Sequence, residues 1–266
     1  MAMLTVGNLT KRFSVGGGST KVAVDNVSLT VETGQFVTVI GSNGAGKSTL
    51  LNLIAGRHLP DEGRIVLDGV DMTDWSEHRR AAYIGRVFQD PLQGTAASMT
   101  IEENLSMAAA RGRRRGLRRG VTAEQRQRFR ELLAQLELGL EDRLRSDVGL
   151  LSGGQRQSLS LIMATLTKPS LLLLDEHTAA LDPKTARQVL ELTERIVSQH
   201  RLTTLMVTHN MEHALRMGDR TIMMHEGTIV LDVSGPERND MTVQDLLDEF
   251  SRVRGHKVLD DRLLLA

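Results

Sequence analysis

Gly41-Ser42-Asn43-Gly44-Ala45-Gly46-Lys47-Ser48 follows the pattern G-x-x-x-x-G-K-[ST] without exception, and those residue types at that spacing suit one chemistry. The glycines let backbone N–H groups curl around phosphate oxygens, and a helix starting behind them adds partial positive charge. Lys47 is spaced to reach the β- and γ-phosphates of a nucleotide. Ser48 offers a hydroxyl to Mg²⁺, and the binding stretch runs from Gly41 through Thr49. The bland alternative is a chance glycine-rich turn. The flanks decide against it, because residues 36–40 are a short β-branched apolar run and residues 48–55 have helical spacing. A bound nucleoside triphosphate is expected.

A second chemical feature lies far along the chain. Leu171-Leu172-Leu173-Leu174-Asp175-Glu176 reads as an apolar strand ending in two carboxylates. Side chains alternate in direction along a strand, so the two acids are expected to do different work. Asp175 is assigned to the Mg²⁺ and its water shell. Glu176 is assigned to the terminal phosphate, as the general base that polarises the attacking water. A solvated acid at a strand end is the plain alternative.

These residues need a framework, and the pattern around them supplies one. The first ~35 residues alternate apolar and polar, broken by Gly16-Gly17-Gly18-Ser19, and read as an antiparallel β-region. Residues 36–40, 64–67, 83–88, 171–174 and 203–207 read as strands. Between residues 91 and 167 strand signals vanish, and helical patterns occupy 101–110, 123–138 and 155–167. Strand–helix–strand alternation around Pro183–His200 implies a parallel sheet. Residues 221–225 and 228–232 form a hairpin on Glu226-Gly227, and residues 243–253 a final amphipathic helix. The expected fold is an α/β P-loop core with a mixed, largely parallel sheet, an N-terminal antiparallel β-region and an inserted all-α lobe. The expected division is residues 1–90 with 168–235 as core, 91–167 as helical lobe and 236–266 as a C-terminal helical tail.

Composition excludes several classes. Hydrophobic residues make up 40% and Lys+Arg 33 balances Asp+Glu 33, so no overall field points to nucleic acid. The absence of cysteine removes disulfides and thiolate metal sites. No secretory signal opens the sequence, and no apolar run approaches the ~20 residues that span a bilayer.

Leu151-Ser152-Gly153-Gly154-Gln155 stands before a helical run, between the phosphate loop and the acidic strand. Alone it is a good helix N-cap with two glycines. In this order of motifs it resembles the signature of ABC ATPases, and the resemblance covers roughly residues 3–235. The family's ligands are ATP and Mg²⁺. The resemblance implies that Gln89, in Phe88-Gln89-Asp90, contacts Mg²⁺ or the attacking water, and that His209 senses the γ-phosphate. It implies that Asp182, in Leu181-Asp182, meets a second subunit, and that Phe13 stacks on adenine where the family more often has Tyr. One departure is His177, where the family commonly has Pro after the catalytic glutamate.

A Ser152-Gly153-Gly154 turn opening a helix is itself an anion site. Carried on the helical lobe, away from Lys47 of the same chain, it implies a head-to-tail pair in which each signature closes on the other copy's ATP.

Other patterns compete. His209-Asn210-Met211-Glu212-His213 matches an inverted zinc-protease motif. That motif needs both histidines on one helical face, whereas His209 directly follows an apolar strand. Residues 111–119 form a basic run that fits anionic lipid or nucleic acid, or simply a solvated loop; no aromatic residue interleaves it for base stacking. A soluble ABC ATPase acting on ribosomes or DNA is the alternative function. Those proteins usually carry two cassettes or a long coiled coil, and neither is present here.

A free-standing cassette without an acidic element before Leu151 resembles those of bacterial importers. The expectation is therefore an ATPase subunit at the cytoplasmic face of the membrane. It would be held there by separate transmembrane permease subunits and served by an extracytoplasmic substrate-binding protein. Residues 83–91, 175–182 and 207–211 resemble a subgroup with members tied to aromatic amino acid uptake.

Overall fold

The structure, a computed structural model, describes residues 1–15, 18–112 and 120–254. Residues 113–119 of the basic run, Gly16-Gly17 of the first loop and the tail beyond residue 254 lie outside the described residues. The chain forms two compact units, residues 1–80 with the segment from Arg201 onward, and residues 81–200.

In the first unit, β1 (Ala2–Val15) and β2 (Ser19–Glu32) pair antiparallel. Val27, Leu29 and Val31 of β2 are buried while Ser28, Thr30 and Glu32 face outward, which is the two-residue period of a half-buried strand. β3 (Phe36–Gly41) is buried along its whole length, as a central parallel strand must be. It leads through the phosphate loop into α1 (Lys47–Ala55). β4 (Glu62–Leu67) and β5 (Val70–Asp71) complete a four-stranded sheet, and α2 (Glu77–Arg80) closes the segment.

The second unit starts with β6 (Ile84–Val87), passes through α3 (Ile101–Ala109), α4 (Ala123–Ala134) and α5 (Gly153–Thr165), and returns in β7 (Leu171–Asp175) before α6 (Pro183–His200). β6 and β7 run parallel, with Val87 opposite Leu174. Capping boxes start the three lobe helices, at Thr100 with Glu103, Thr122 with Gln125 and Ser152 with Gln155. α5 is buried on almost every side from Gln157 to Thr165.

The chain re-enters the first unit with β8 (Thr204–Val207), α7 (Met211–Met217), β9 (Arg220–His225), β10 (Thr228–Ser234), α8 (Gly235–Asn239) and α9 (Val243–Arg254). β3 pairs in parallel with both β8 and β9, and β10 closes antiparallel on β9. Glu226 and Gly227 both take positive φ, 44° and 84°, as a two-residue hairpin turn of this hand requires. α9 is part of the core: Leu246 and Phe250 are buried with Ile40, Met211, Ala214 and Met223. Among the described residues no helix is long and apolar enough to cross a membrane.

Candidate active site

The phosphate loop is shaped by contacts that leave no room for side chains. Gly41 has φ 148°, and a Cβ there would lie 2.2 Å from the Met224 carbonyl oxygen. Gly46 has φ 102°, with a Cβ 2.4 Å from the Ala23 carbonyl oxygen. The hairpin turn braces the loop, since the Gly227 N–H donates to the Ala45 carbonyl at 3.0 Å. Gly46 is the N-cap of α1 and supplies no side-chain cap, so the backbone donors of the first turn meet no capping side chain. Lys47 is buried, and its Nζ donates to the carbonyls of Gly41 (2.6 Å) and Ser42 (3.1 Å). Asn43, Gly44 and Ser48 are exposed, and Thr49 is half-buried.

Parallel pairing brings a second predicted residue to the same edge. Val39 lies opposite Val207, and the Thr208 N–H donates to the Val39 carbonyl at 3.1 Å. The chain therefore leaves β8 at His209 beside the point where β3 ends in Gly41. Ligands of parallel sheets bind at such carboxyl ends. Phe13 stands on β1 with its ring edge-on to His58, centroids 5.2 Å apart, and Lys11 Nζ 5.7 Å from its centroid.

His209 lies before α7, whose N-cap Asn210 accepts from the His213 N–H at 2.9 Å. Burial pushes the His213 imidazole below its ordinary pKa against the pull of Glu212. The two histidines are thus not on one helical face. Among the described residues no cluster of three His, Cys, Asp or Glu could hold a metal.

The second unit has its own carboxyl edge. Gln89 follows β6 by two residues and is exposed, and Asp175 ends β7. Glu176 lies beyond the strand with φ 43°, so the strict alternation expected of the two acids does not apply. Glu176 takes the left-handed conformation just past the end of β7.

The signature residues are both a cap and a close-packed corner. The Ser152 hydroxyl accepts from the Gln155 N–H at 3.2 Å, and Gln155 Nε2 donates to the Leu138 carbonyl at 3.3 Å. A Cβ on Gly153 would lie 3.3 Å from Leu181 Cδ2, and one on Gly154 2.1 Å from Thr185 Cγ2. The signature turn therefore packs on the segment around Asp182. That carboxylate accepts from the Thr185 N–H at 3.1 Å, and hydrogen bonds from Thr185 hold it below the usual range.

Arg86 and Gln157 escaped the reading of the sequence, and His177 was marked there only as a departure from the family's proline. Arg86, inside β6, donates from Nη2 to Asp175 Oδ2 at 3.0 Å. Gln157, fully buried on α5, donates to the Phe88 carbonyl at 3.0 Å, next to Gln89. His177 is buried and meets the Thr193 hydroxyl at 3.1 Å. The only signal for Arg86 was a charge within an otherwise apolar strand.

The family model described as ABC transporter matches residues 24–179. A tyrosine transport ATP-binding protein of Clostridioides difficile is 48% identical over 248 residues, covering 93% of this chain and 98% of that protein. A methionine import ATP-binding protein of Rhodococcus jostii is 39% identical over 229 residues, covering 84% of this chain and 63% of its own length. Among solved structures, a dimeric ATP-binding cassette in a post-hydrolysis state with ADP and Pi matches with TM-score 0.75. It is 30% identical and covers 87% of this chain and 98% of that one.

Proposed function

Because this chain belongs to the ABC transporter ATP-binding family, and so is an ATP-binding and ATP-hydrolysing cassette, we propose that it powers uptake of an amino acid, with an aromatic one favoured. In this reading two copies pair head to tail on separate permease subunits, at the cytoplasmic face of the membrane, and an extracytoplasmic binding protein delivers the cargo. The name of the tyrosine transport relative, which matches over nearly its whole length, supports the cargo class. The dimeric cassette supports the pairing. Residues 91–167 act as the lobe carrying the signature, and residues 1–90 with 168–235 as the nucleotide core.

The observation that carries the reading is the phosphate loop. Its glycines at 41 and 46 exclude any Cβ, and α1 begins without a side-chain cap. Backbone donors of Gly41 to Thr49 bind the phosphates, Lys47 adds charge, and Phe13 takes the adenine. The Ser48 hydroxyl and the Asp175 carboxylate are hard oxygen donors and fit Mg²⁺, with Gln89 as a further ligand. When bound, Mg²⁺ neutralises charge developing on the phosphates. Glu176 accepts the proton of the attacking water, and His209 holds the terminal phosphate in place. Ser152, Gly153, Gly154 and Gln155 close on the ATP of the second copy, with Asp182 at the junction.

Glu176→Gln in the full chain tests the chemistry. It should keep ATP affinity, lower hydrolysis about 100-fold or more, and trap an ATP-dependent dimer in light scattering. Native turnover in that variant would remove Glu176 from the role. Purification from membrane extracts tests the transport reading. A permease and a lipoprotein should accompany the chain, whereas ribosomal or DNA-repair partners would replace uptake with the soluble alternative.

A further inference from the structure

Arg86 does not fit a purely structural role. Its side chain is 8% exposed, and one N–H of the guanidinium reaches Asp175 at 3.0 Å. Its Nε and Nη1 are buried without a hydrogen-bond partner among the described residues. The guanidinium also lies over the Phe88 ring, 4.6 Å from its centroid. A guanidinium carries five donors, and a buried charge left partly unsatisfied is costly. A buried ion pair often contributes no more to stability than an apolar pair of equal volume. β6 is otherwise apolar or glycine, so a third aliphatic residue at position 86 would fit the strand better.

We propose that Arg86 is a positioning residue that competes with the divalent cation for Asp175. The inference rests on the reading that Asp175 holds Mg²⁺. Without the cation, the guanidinium neutralises the carboxylate and fixes its orientation. A divalent ion arriving at Asp175 faces a positive charge already beside its ligand, which weakens its binding. The Phe88 face gives the guanidinium a second resting place through cation–π attraction. Arg86 can therefore yield the carboxylate without leaving its strand, and it yields toward the residue that precedes Gln89. The cassette is built to hold its metal ligand in reserve, so that metal binding demands a nucleotide whose phosphates supply further oxygens.

The test uses the full chain with a non-hydrolysable ATP analogue and Mn²⁺ as the probe, read from the loss of the free-ion electron paramagnetic resonance signal. Arg86→Met removes the charge at similar length and should lower half-saturating Mn²⁺ roughly tenfold or more. Arg86→Lys keeps a charge near the carboxylate and should stay close to the native value. Affinity for the analogue in EDTA should be unchanged in both. If Arg86→Met does not fold, as judged by circular dichroism, Arg86→Gln takes its place with the same expectation. Unmoved or weaker Mn²⁺ binding in a folded, charge-free variant overturns the proposal. So does a loss of analogue binding in EDTA, which would make Arg86 a phosphate ligand. Asp175→Asn separates the two layers. If it leaves Mn²⁺ binding intact, the assignment of Asp175 itself is wrong; if it abolishes binding while Arg86→Met changes nothing, only the competition is.

Discussion

His177 Nε2 lies 3.1 Å from the Thr193 hydroxyl, both side chains buried, and the Thr193 hydroxyl donates in turn to the Val189 carbonyl at 2.7 Å. A hydroxyl has one proton. With that proton spent on Val189, the Thr193 oxygen accepts, so Nε2 of His177 carries the hydrogen. The residue after Glu176 is thereby tied to the middle of α6. A proline at position 177 could not make this bond, and the departure from the family's usual residue here is a replacement of ring rigidity by a side-chain tether.

Removing the tether's acceptor should therefore cost stability and not nucleotide binding. Thr193→Val keeps the shape and leaves the Nε2–H of His177 without its acceptor, at about 1–3 kcal/mol. Urea unfolding should register the loss while ATP affinity stays native. Unchanged stability would mean the imidazole finds another acceptor at no cost.

Gly46→Ala should act on the phosphate loop directly. The added Cβ meets the Ala23 carbonyl oxygen at 2.4 Å, and φ of 102° is a conformation alanine rarely adopts. Strain of this kind costs about 1–3 kcal/mol. ATP affinity, measured with a fluorescent analogue, should fall about tenfold or more as the loop shifts. Gly69→Ala is the control for backbone strain alone, because φ there is 74° with nothing within 4 Å of the new methyl. It should leave affinity unchanged.

Some of this was open to reading in the sequence, and the reasons are local. The phosphate loop is a contiguous pattern between a buried strand and a helix, so Gly41 to Thr49 were legible together. Pro183–His200 was legible because its apolar positions repeat at helical spacing over five turns. α7 was not, since seven residues carry too short a period, although Asn210 as its cap was a usable signal. The argument that set Glu176 apart from Asp175 by strand alternation does not apply, because the backbone turns left-handed at Glu176. The ion pair of Arg86 was hidden because its partner is 89 positions away. Pairing of β6 with β7, which no local pattern states, is what joins them.

Acid should loosen the helical segment through one carboxylate. Arg126 holds Glu102 by two bonds, Nε to Oε2 at 2.6 Å and Nη2 to Oε1 at 3.0 Å. The hydrogen bond from Arg126 is the main reason this carboxyl lies below the usual range. A group depressed in the folded state contributes fully above its unfolded pKa of about 4.3 and loses that contribution as pH falls through the folded value. Glu102→Gln should accordingly lower the melting temperature at pH 7. The gap from the native protein should close as pH falls below about 4. A gap that persists undiminished in acid would show that the pair contributes through packing alone.

Arg80 should prove the least replaceable charge outside the loop. It is fully buried at the end of α2. Nη1 donates to the Leu53 and Ile54 carbonyls at 2.7 and 2.9 Å, Nε to Trp75 and Nη2 to Thr73, both at 2.9 Å. Leu53 and Ile54 lie in the last turn of α1, where the dipole favours a cation, and the Leu53 carbonyl also accepts from the Gly56 N–H at 3.1 Å. Burial pulls the guanidinium down to about 10, which still leaves it charged at neutral pH. Arg80→Lys cannot reach acceptors on three sides from a single ammonium, and a buried cation short of partners costs about 3–5 kcal/mol. The variant should unfold at markedly lower denaturant. ATP binding should add less protection to it than to the native chain, because the helix behind Lys47 has lost its anchor. Equal protection by ATP in the two proteins would confine Arg80 to packing and separate it from the phosphate loop.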